Sequence, residues 1–200
     1  MPRQLPLIPG KARLLHGGDT RKGKRKLMRP LDPRRPLHLV LRSRRARGAW
    51  SLLHPHHQGR VRAQVEELAH EQGVRILNFA NVGNHLHILL KTPSRRAFQT
   101  YLRRLTGAIA MGVTGARKGK PVGRFWDELA FSRVVSWGRD YSQVFSYLMK
   151  NMLEGAGLLK RHGPEDEELF ISPVEDLGRV SKRSGKAKRG PPPKRRTAPH

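Results

Sequence analysis

Two apolar runs, "VRILNFANV" (74–82) and "HLHILLKT" (85–92), are separated only by Gly83 and Asn84. Both runs have strand length, and a Gly–Asn pair between them suits a tight reversal, so the stretch predicts a β-hairpin. A hairpin commits the chain to an antiparallel sheet, which needs at least one more strand and a covering layer. The flanking sequence supplies both. "LHLVLRS" (37–43) is short, aliphatic and proline-bounded, as a strand would be, and "LAFSRVVSW" (129–137) reads as another. "GRVRAQVEELAHEQG" (59–73) sets Val61, Val65, Leu68 and Ala69 at helical spacing before a glycine stop. "SRRAFQTYLRRLTGAIAMGV" (94–113) opens on Ser94 as an N-cap and aligns Phe98, Leu102, Leu105 and Ile109 on one face. A third helix, "SQVFSYLMKNML" (142–153), ends near Gly155 and Gly157. The order β-α-β-β-α-β-α predicts an α+β fold. Its first six elements match the ferredoxin-like βαββαβ pattern, an antiparallel sheet with helices on one face, and the C-terminal helix is an addition.

Charge decides the class of partner. The chain has 41 Lys and Arg against 15 Asp and Glu, a formal net charge of +26, and such a field attracts polyanions. Nucleic acid is the expected partner. No segment approaches the roughly 18 apolar residues needed to span a bilayer, so no membrane role is expected. The cysteine-free composition fits a reducing cytoplasm, and the expected location is cytoplasmic, at the nucleoid.

Residues 1–35 and 181–200 are rich in Pro, Arg and Lys, without apolar periodicity. A disordered basic arm and a disordered basic tail are expected there. They flank a catalytic domain over 36–160 and an acidic segment over 161–180 that includes "GPEDEEL".

Side chains alternate along a strand, so His85, His87 and Leu89 share one face of the second hairpin strand, and Leu86, Ile88 and Leu90 share the other. The aliphatic face must meet the helices, which leaves the imidazoles for a cleft or a covering element. Two imidazoles at this spacing can hold one cation if a third ligand arrives from elsewhere. On the third helix Tyr147 and Asn151 lie one turn apart on one face.

With "NHLH" (84–87) on a hairpin strand and "YLMKN" (147–151) on a late helix, the sequence resembles the single-tyrosine HUH transposases, in particular the REP-associated tyrosine transposases and their relatives. The resemblance runs from about Pro36 to Leu158 and leaves out both tails. The helix continues with Met152 where many relatives have proline, and "ELAFSR" (128–133) stands where many have an Arg-Tyr-His-like stretch. The resemblance implies that Tyr147 is the nucleophile, forming a 5′-phosphotyrosine. It implies that His85, His87 and Asn151 hold Mg²⁺ or Mn²⁺, and that the substrate is single-stranded DNA with a hairpin. Monomer or homodimer stays open, as does whether the tyrosine helix acts in cis or in trans.

Arg95, Arg96, Arg103 and Arg104 of the second helix, and Arg117, Lys118, Lys120 and Arg124 of a glycine-rich loop, are expected to contact DNA. That loop, "TGARKGKP" (114–121), lacks the spacing and the Ser or Thr of a phosphate loop, so no nucleotide site is expected. The cluster "HPHHQ" (54–58) reads as a loop without zinc spacing, and His38 as a packing residue. Tyr101 and Tyr141 are expected to be structural or to touch DNA, and Trp126 and Trp137 to pack or to stack on bases. The competing class is a noncatalytic nucleic-acid-binding protein on the same fold. RNA-recognition modules of that kind carry aromatics on central strands, where this chain offers Phe79, His85 and His87.

Overall fold

The computed structural model describes residues 14–18 and 27–159. Its elements are β1 (Leu15–His16), β2 (Leu37–Arg42), a 3-10 turn (Gly48–Trp50), α1 (Pro55–Glu71), β3 (Arg75–Asn81), β4 (His85–Lys91), α2 (Arg95–Thr114), β5 (Phe131–Val134) and α3 (Arg139–Gly155).

The hairpin forms where the sequence predicts it. β3 pairs antiparallel with β4, and the Val82 N–H donates to the His85 carbonyl at 3.0 Å across Gly83 and Asn84. Gly83 takes a positive φ of 94°, which a residue with a Cβ adopts only under strain. The loop after β2 grips this turn, since the Leu52 N–H donates to the Gly83 carbonyl and the Ser43 N–H to that of Asn84. The sheet runs β1-β5-β2-β4-β3 with every pairing antiparallel. Its four longer strands with α1 and α2 make the ferredoxin-like pattern.

Register fixes which residues face which layer. Leu37, Leu39 and Leu41 of β2 lie opposite Leu90, Ile88 and Leu86 of β4. All six are buried in one cluster with Val61, Val65 and Leu68 of α1 and Phe98, Tyr101, Leu105 and Ile109 of α2. Each fully buried aliphatic side chain stabilises the fold by about 1.5–3 kcal/mol, so a one-residue register slip would forfeit the whole set. The Ser94 hydroxyl accepts the Ala97 N–H at the start of α2, as expected for an N-cap.

One expectation is corrected. α1 begins at Pro55, four residues before the predicted start, with the His54 ring nitrogen accepting the His56 N–H; "HPHHQ" is therefore a cap and a first helical turn. Proline suits that position because the first helical N–H needs no partner within the helix. Within the basic arm, only residues 14–18 and 27–35 are described. β1 pairs with β5, the Arg29 guanidinium donates to the Ala130 carbonyl at 2.8 Å and bonds Ser132, and Leu14 and Leu31 pack against the core. An edge strand leaves a row of backbone groups open to such pairing. The remainder of the arm, the whole acidic segment and the 181–200 tail lie outside the described residues.

α3 covers the opposite face of the sheet and lies against β3. The approach is close at its last turn, where a Cβ on Gly155 would stand 2.5 Å from the Asn81 carbonyl oxygen. Among the described residues no helix is long and apolar enough to cross a membrane.

Candidate active site

The alternation that buries Leu86, Ile88 and Leu90 under α1 and α2 turns His85 and His87 to the other face, where α3 lies. Both histidines are buried, with ring centroids 4.8 Å apart in an edge arrangement. α3 presents Val144, Tyr147, Leu148 and Asn151 as its buried side. The Tyr147 ring meets His87 edge-on at 5.3 Å. The structure therefore brings His85, His87 and Tyr147 together, and Asn151 follows one turn later on the same buried side of α3. Tyr147 itself is only 6% exposed.

His38 completes the group. It lies on β2 with its Nε2 3.2 Å from the His87 Nδ1 and its ring stacked at 5.4 Å. Burial, with the Arg133 guanidinium nearby, pushes the His38 pKa down to about 3. Burial, with His85 and His38 beside it, holds His87 well below the usual imidazole range. Both rings are neutral at physiological pH. One hydrogen bond between two neutral rings leaves a nitrogen over on each, and His38 Nδ1 and His87 Nε2 are buried without a partner, as is Asn151 Nδ2. On the hairpin turn, Asn84 Oδ1 stands 2.7 Å from His85 Nδ1 and fixes that ring.

Among the described residues no three His, Cys, Asp or Glu side chains are placed to hold a metal ion. A cation on the two histidines would need a further ligand, and the Asn151 amide on the buried side of α3 is the one the family resemblance implies. The residues offer such a donor set, because an amide turned about its last bond presents oxygen where nitrogen stands.

The basic residues singled out in the sequence lie elsewhere. Arg95, Arg96, Arg103 and Arg104 belong to α2, on the far side of the sheet from the histidines. Arg95 donates to the Arg29 carbonyl and Arg104 pairs with Glu71. Arg117, Lys118 and Arg124 line a groove with Met111 of α2, and Lys120 is bridged to Arg117 beside it; Arg124 also pairs with Glu128. Sequence reasoning missed Arg42. It is exposed, shares the parity of His38 and Val40 on β2, and stands directly opposite His85. Period-two counting along "HLVLR" could have found it. Tyr101 is a core residue, and burial raises its pKa far above the ordinary phenol value. Trp126 packs against the core with its Nε1–H on the Thr106 carbonyl.

No family model matches the chain, and no curated protein does. Among solved structures it is similar to a REP-associated tyrosine transposase bound to a REP hairpin, with a TM-score of 0.49 and 13% identity over 87% of this chain and 99% of that one. It is also similar to a Deinococcus radiodurans R1 protein named as a candidate transposase, with a TM-score of 0.40 and 16% identity over 58% of this chain and 89% of that one.

Proposed function

We propose that the chain is a metal-dependent DNA strand transferase of the transposase type, acting on single-stranded DNA beside a hairpin. The observation that carries this reading is the meeting of Tyr147 with His87, whose Nε2 is buried without a partner, as is Asn151 Nδ2 one turn on along the buried side of α3. Leaving a buried polar group unsatisfied costs about 1–3 kcal/mol, a cost that persists more readily where the group serves a ligand. The two sequence motifs, in order and on the expected elements, support the same reading.

His85, His87 and Asn151 would hold Mg²⁺ or Mn²⁺, and mixed nitrogen and oxygen ligation suits Mn²⁺ better. When bound, the ion supplies positive charge that polarises and orients the scissile phosphate. His38 orients His87: with the His87 Nδ1–H donating to His38 Nε2, the lone pair sits on Nε2, the atom left without a partner. The Tyr147 hydroxyl oxygen attacks phosphorus, so its bond to phosphorus forms as the bond to the 3′ oxygen breaks. The phenolic proton leaves to solvent and the 3′ oxygen gains one. The products are a 5′-phosphotyrosine and a 3′-hydroxyl, and the reverse attack rejoins the strand without a nucleotide cofactor.

The test incubates purified protein with labelled hairpin-bearing single strands drawn from DNA flanking its gene, with Mn²⁺ or EDTA, beside Tyr147→Phe. A denaturing gel is expected to show a covalent adduct that needs both the metal and the hydroxyl. The second reading, a noncatalytic nucleic-acid-binding protein, is favoured by the burial of Tyr147, and binding with no adduct on any flanking hairpin would establish it instead.

A further inference from the structure

The outer side of α3 carries a line of rings. Trp137, just ahead of the helix, Tyr141 and Phe145 follow at four-residue spacing. Their ring centroids are 5.0 Å apart from Trp137 to Tyr141 and 6.0 Å apart from Tyr141 to Phe145. Trp137 is 52% exposed and Phe145 36% exposed, although Tyr147, two residues on, is buried. The leading ring is held in place: its Nε1–H donates to the Arg34 carbonyl at 3.0 Å, and Lys91 Nζ lies 5.6 Å from its centre. An ordered aromatic line facing water forgoes the gain that burial would bring.

Charge around the line selects its occupant. Lys91 lies beside the Trp137 ring, the exposed Arg34 holds that ring through its carbonyl, and the exposed Arg139 follows two residues on. Asp140 is the acid of the first turn of α3, and it is taken up by the Arg133 guanidinium and the Ser136 N–H, both at 2.8 Å. Asp32 is held by the Arg34 N–H and the Arg35 side chain. A second copy of the chain would bring +26 against +26, which opposes self-association. Flat rings beside cations match a strand of unpaired bases: every base has a π-face to stack, and its phosphate has a cation within reach.

We propose that Trp137, Tyr141 and Phe145 form a stacking strip for the unpaired bases of single-stranded nucleic acid, outside the Tyr147 site. The choice of DNA as that strand rests on the function proposed above, whereas the strip is tested by binding alone. Fluorescence anisotropy in EDTA would compare a labelled oligothymidylate with an abasic strand of equal length, which keeps the phosphates and lacks the bases. The wild-type protein is expected to favour the thymidylate by about 10-fold or more. Trp137→Ala and Phe145→Ala should each weaken thymidylate binding by about 5- to 100-fold, the range for losing one stacked base. Neither should change abasic binding or the salt dependence, which reports phosphate contacts. Trp137→Phe should restore most of the loss. Phe145→Ala guards against a folding artefact, since the Phe145 ring makes no hydrogen bond and its only ring contact is Tyr141 among the described residues.

Equal wild-type affinity for the two strands would overturn the strip. So would variants that weaken both strands alike, or sedimentation showing a dimer that Trp137→Ala dissociates. If base-dependent binding holds while no covalent adduct ever forms, the strip stands and the transferase reading falls; an adduct formed by a protein indifferent to bases gives the reverse.

Discussion

His38 and His87 lie 49 positions apart in sequence and on adjacent strands in space. Burial lowers both pKa values below 6.5, that of His38 to about 3, so in mildly acidic solution the unfolded chain binds protons that the folded chain refuses. Stability tied to these groups is therefore fully present above about pH 6.5 and is lost as pH falls through the window below it. Each histidine contributes a slope of up to about 1.4 kcal/mol per pH unit. Urea melts of metal-free protein at pH 6.5 and 5.5 should show a drop of about 2 kcal/mol, about 1 from each ring because an unfolded histidine is already half-protonated at the upper pH, and in His38→Leu roughly half of it. A flat profile would mean that the rings are charged or solvated in the fold. The same variant should bind Mn²⁺ about 10- to 100-fold more weakly by titration calorimetry, the usual cost of losing a residue that orients a metal ligand, with His38→Gln recovering part. A loss of stability with Mn²⁺ affinity unchanged would make His38 a packing residue, as its sequence suggests. Period-two alternation made the pairing of His85 with His87 legible, but nothing local says which strand lies beside β4. The His38 contact was hidden for that reason.

At the scale of elements, one glycine sets how closely α3 lies on β3. Gly155→Ala would drive a Cβ into the Asn81 carbonyl oxygen at 2.5 Å, and backbone cannot yield as a side-chain end can. Overpacking of this kind costs about 1–3 kcal/mol. Because Tyr147 and Asn151 lie on the same helix, adduct formation should fall with it. Gly107→Ala is the contrasting case: the position is inside α2 with nothing within 4 Å of its added Cβ, so a gain of about 0.5–1 kcal/mol is expected from helix propensity. Urea midpoints for the pair check both signs, and a Gly155→Ala protein as stable and active as wild type would show that α3 can shift without consequence. Long periodic elements were readable from sequence: the hairpin, α2 and α3 stand close to their expected places. The start of α1 was not, since His54 and Pro55 resemble a loop until the cap geometry is seen. β1 was not either, since a two-residue strand owes its existence to the edge of β5 and carries no pattern of its own.

For the whole molecule, the formal charge of +26 gives affinity for polyanions without saying where a strand lies, and the sheet divides the basic residues between two sides. The arginines of α2 share the far side with the long-range core, whereas Arg42 is exposed on the histidine face opposite His85. Under the proposed function, contacts that supply attraction would separate from contacts that place a phosphate near Tyr147. Removing Arg96 and Arg103 together should weaken single-strand binding and reduce its log–log salt slope by about 1.4, two contacts at about 0.7 each. At saturating DNA the rate of adduct formation should not change. Arg42→Ala should move the salt slope by only about 0.7 yet slow adduct formation at saturation by on the order of 10- to 100-fold, as when a charge positioned at the reacting phosphate is lost. Single-turnover rates beside equilibrium titrations at several salt concentrations separate the two quantities. If the α2 pair slows the saturated reaction and Arg42→Ala does not, the strand approaches across the helices, and the histidine face is reached through a second subunit or through opening of α3.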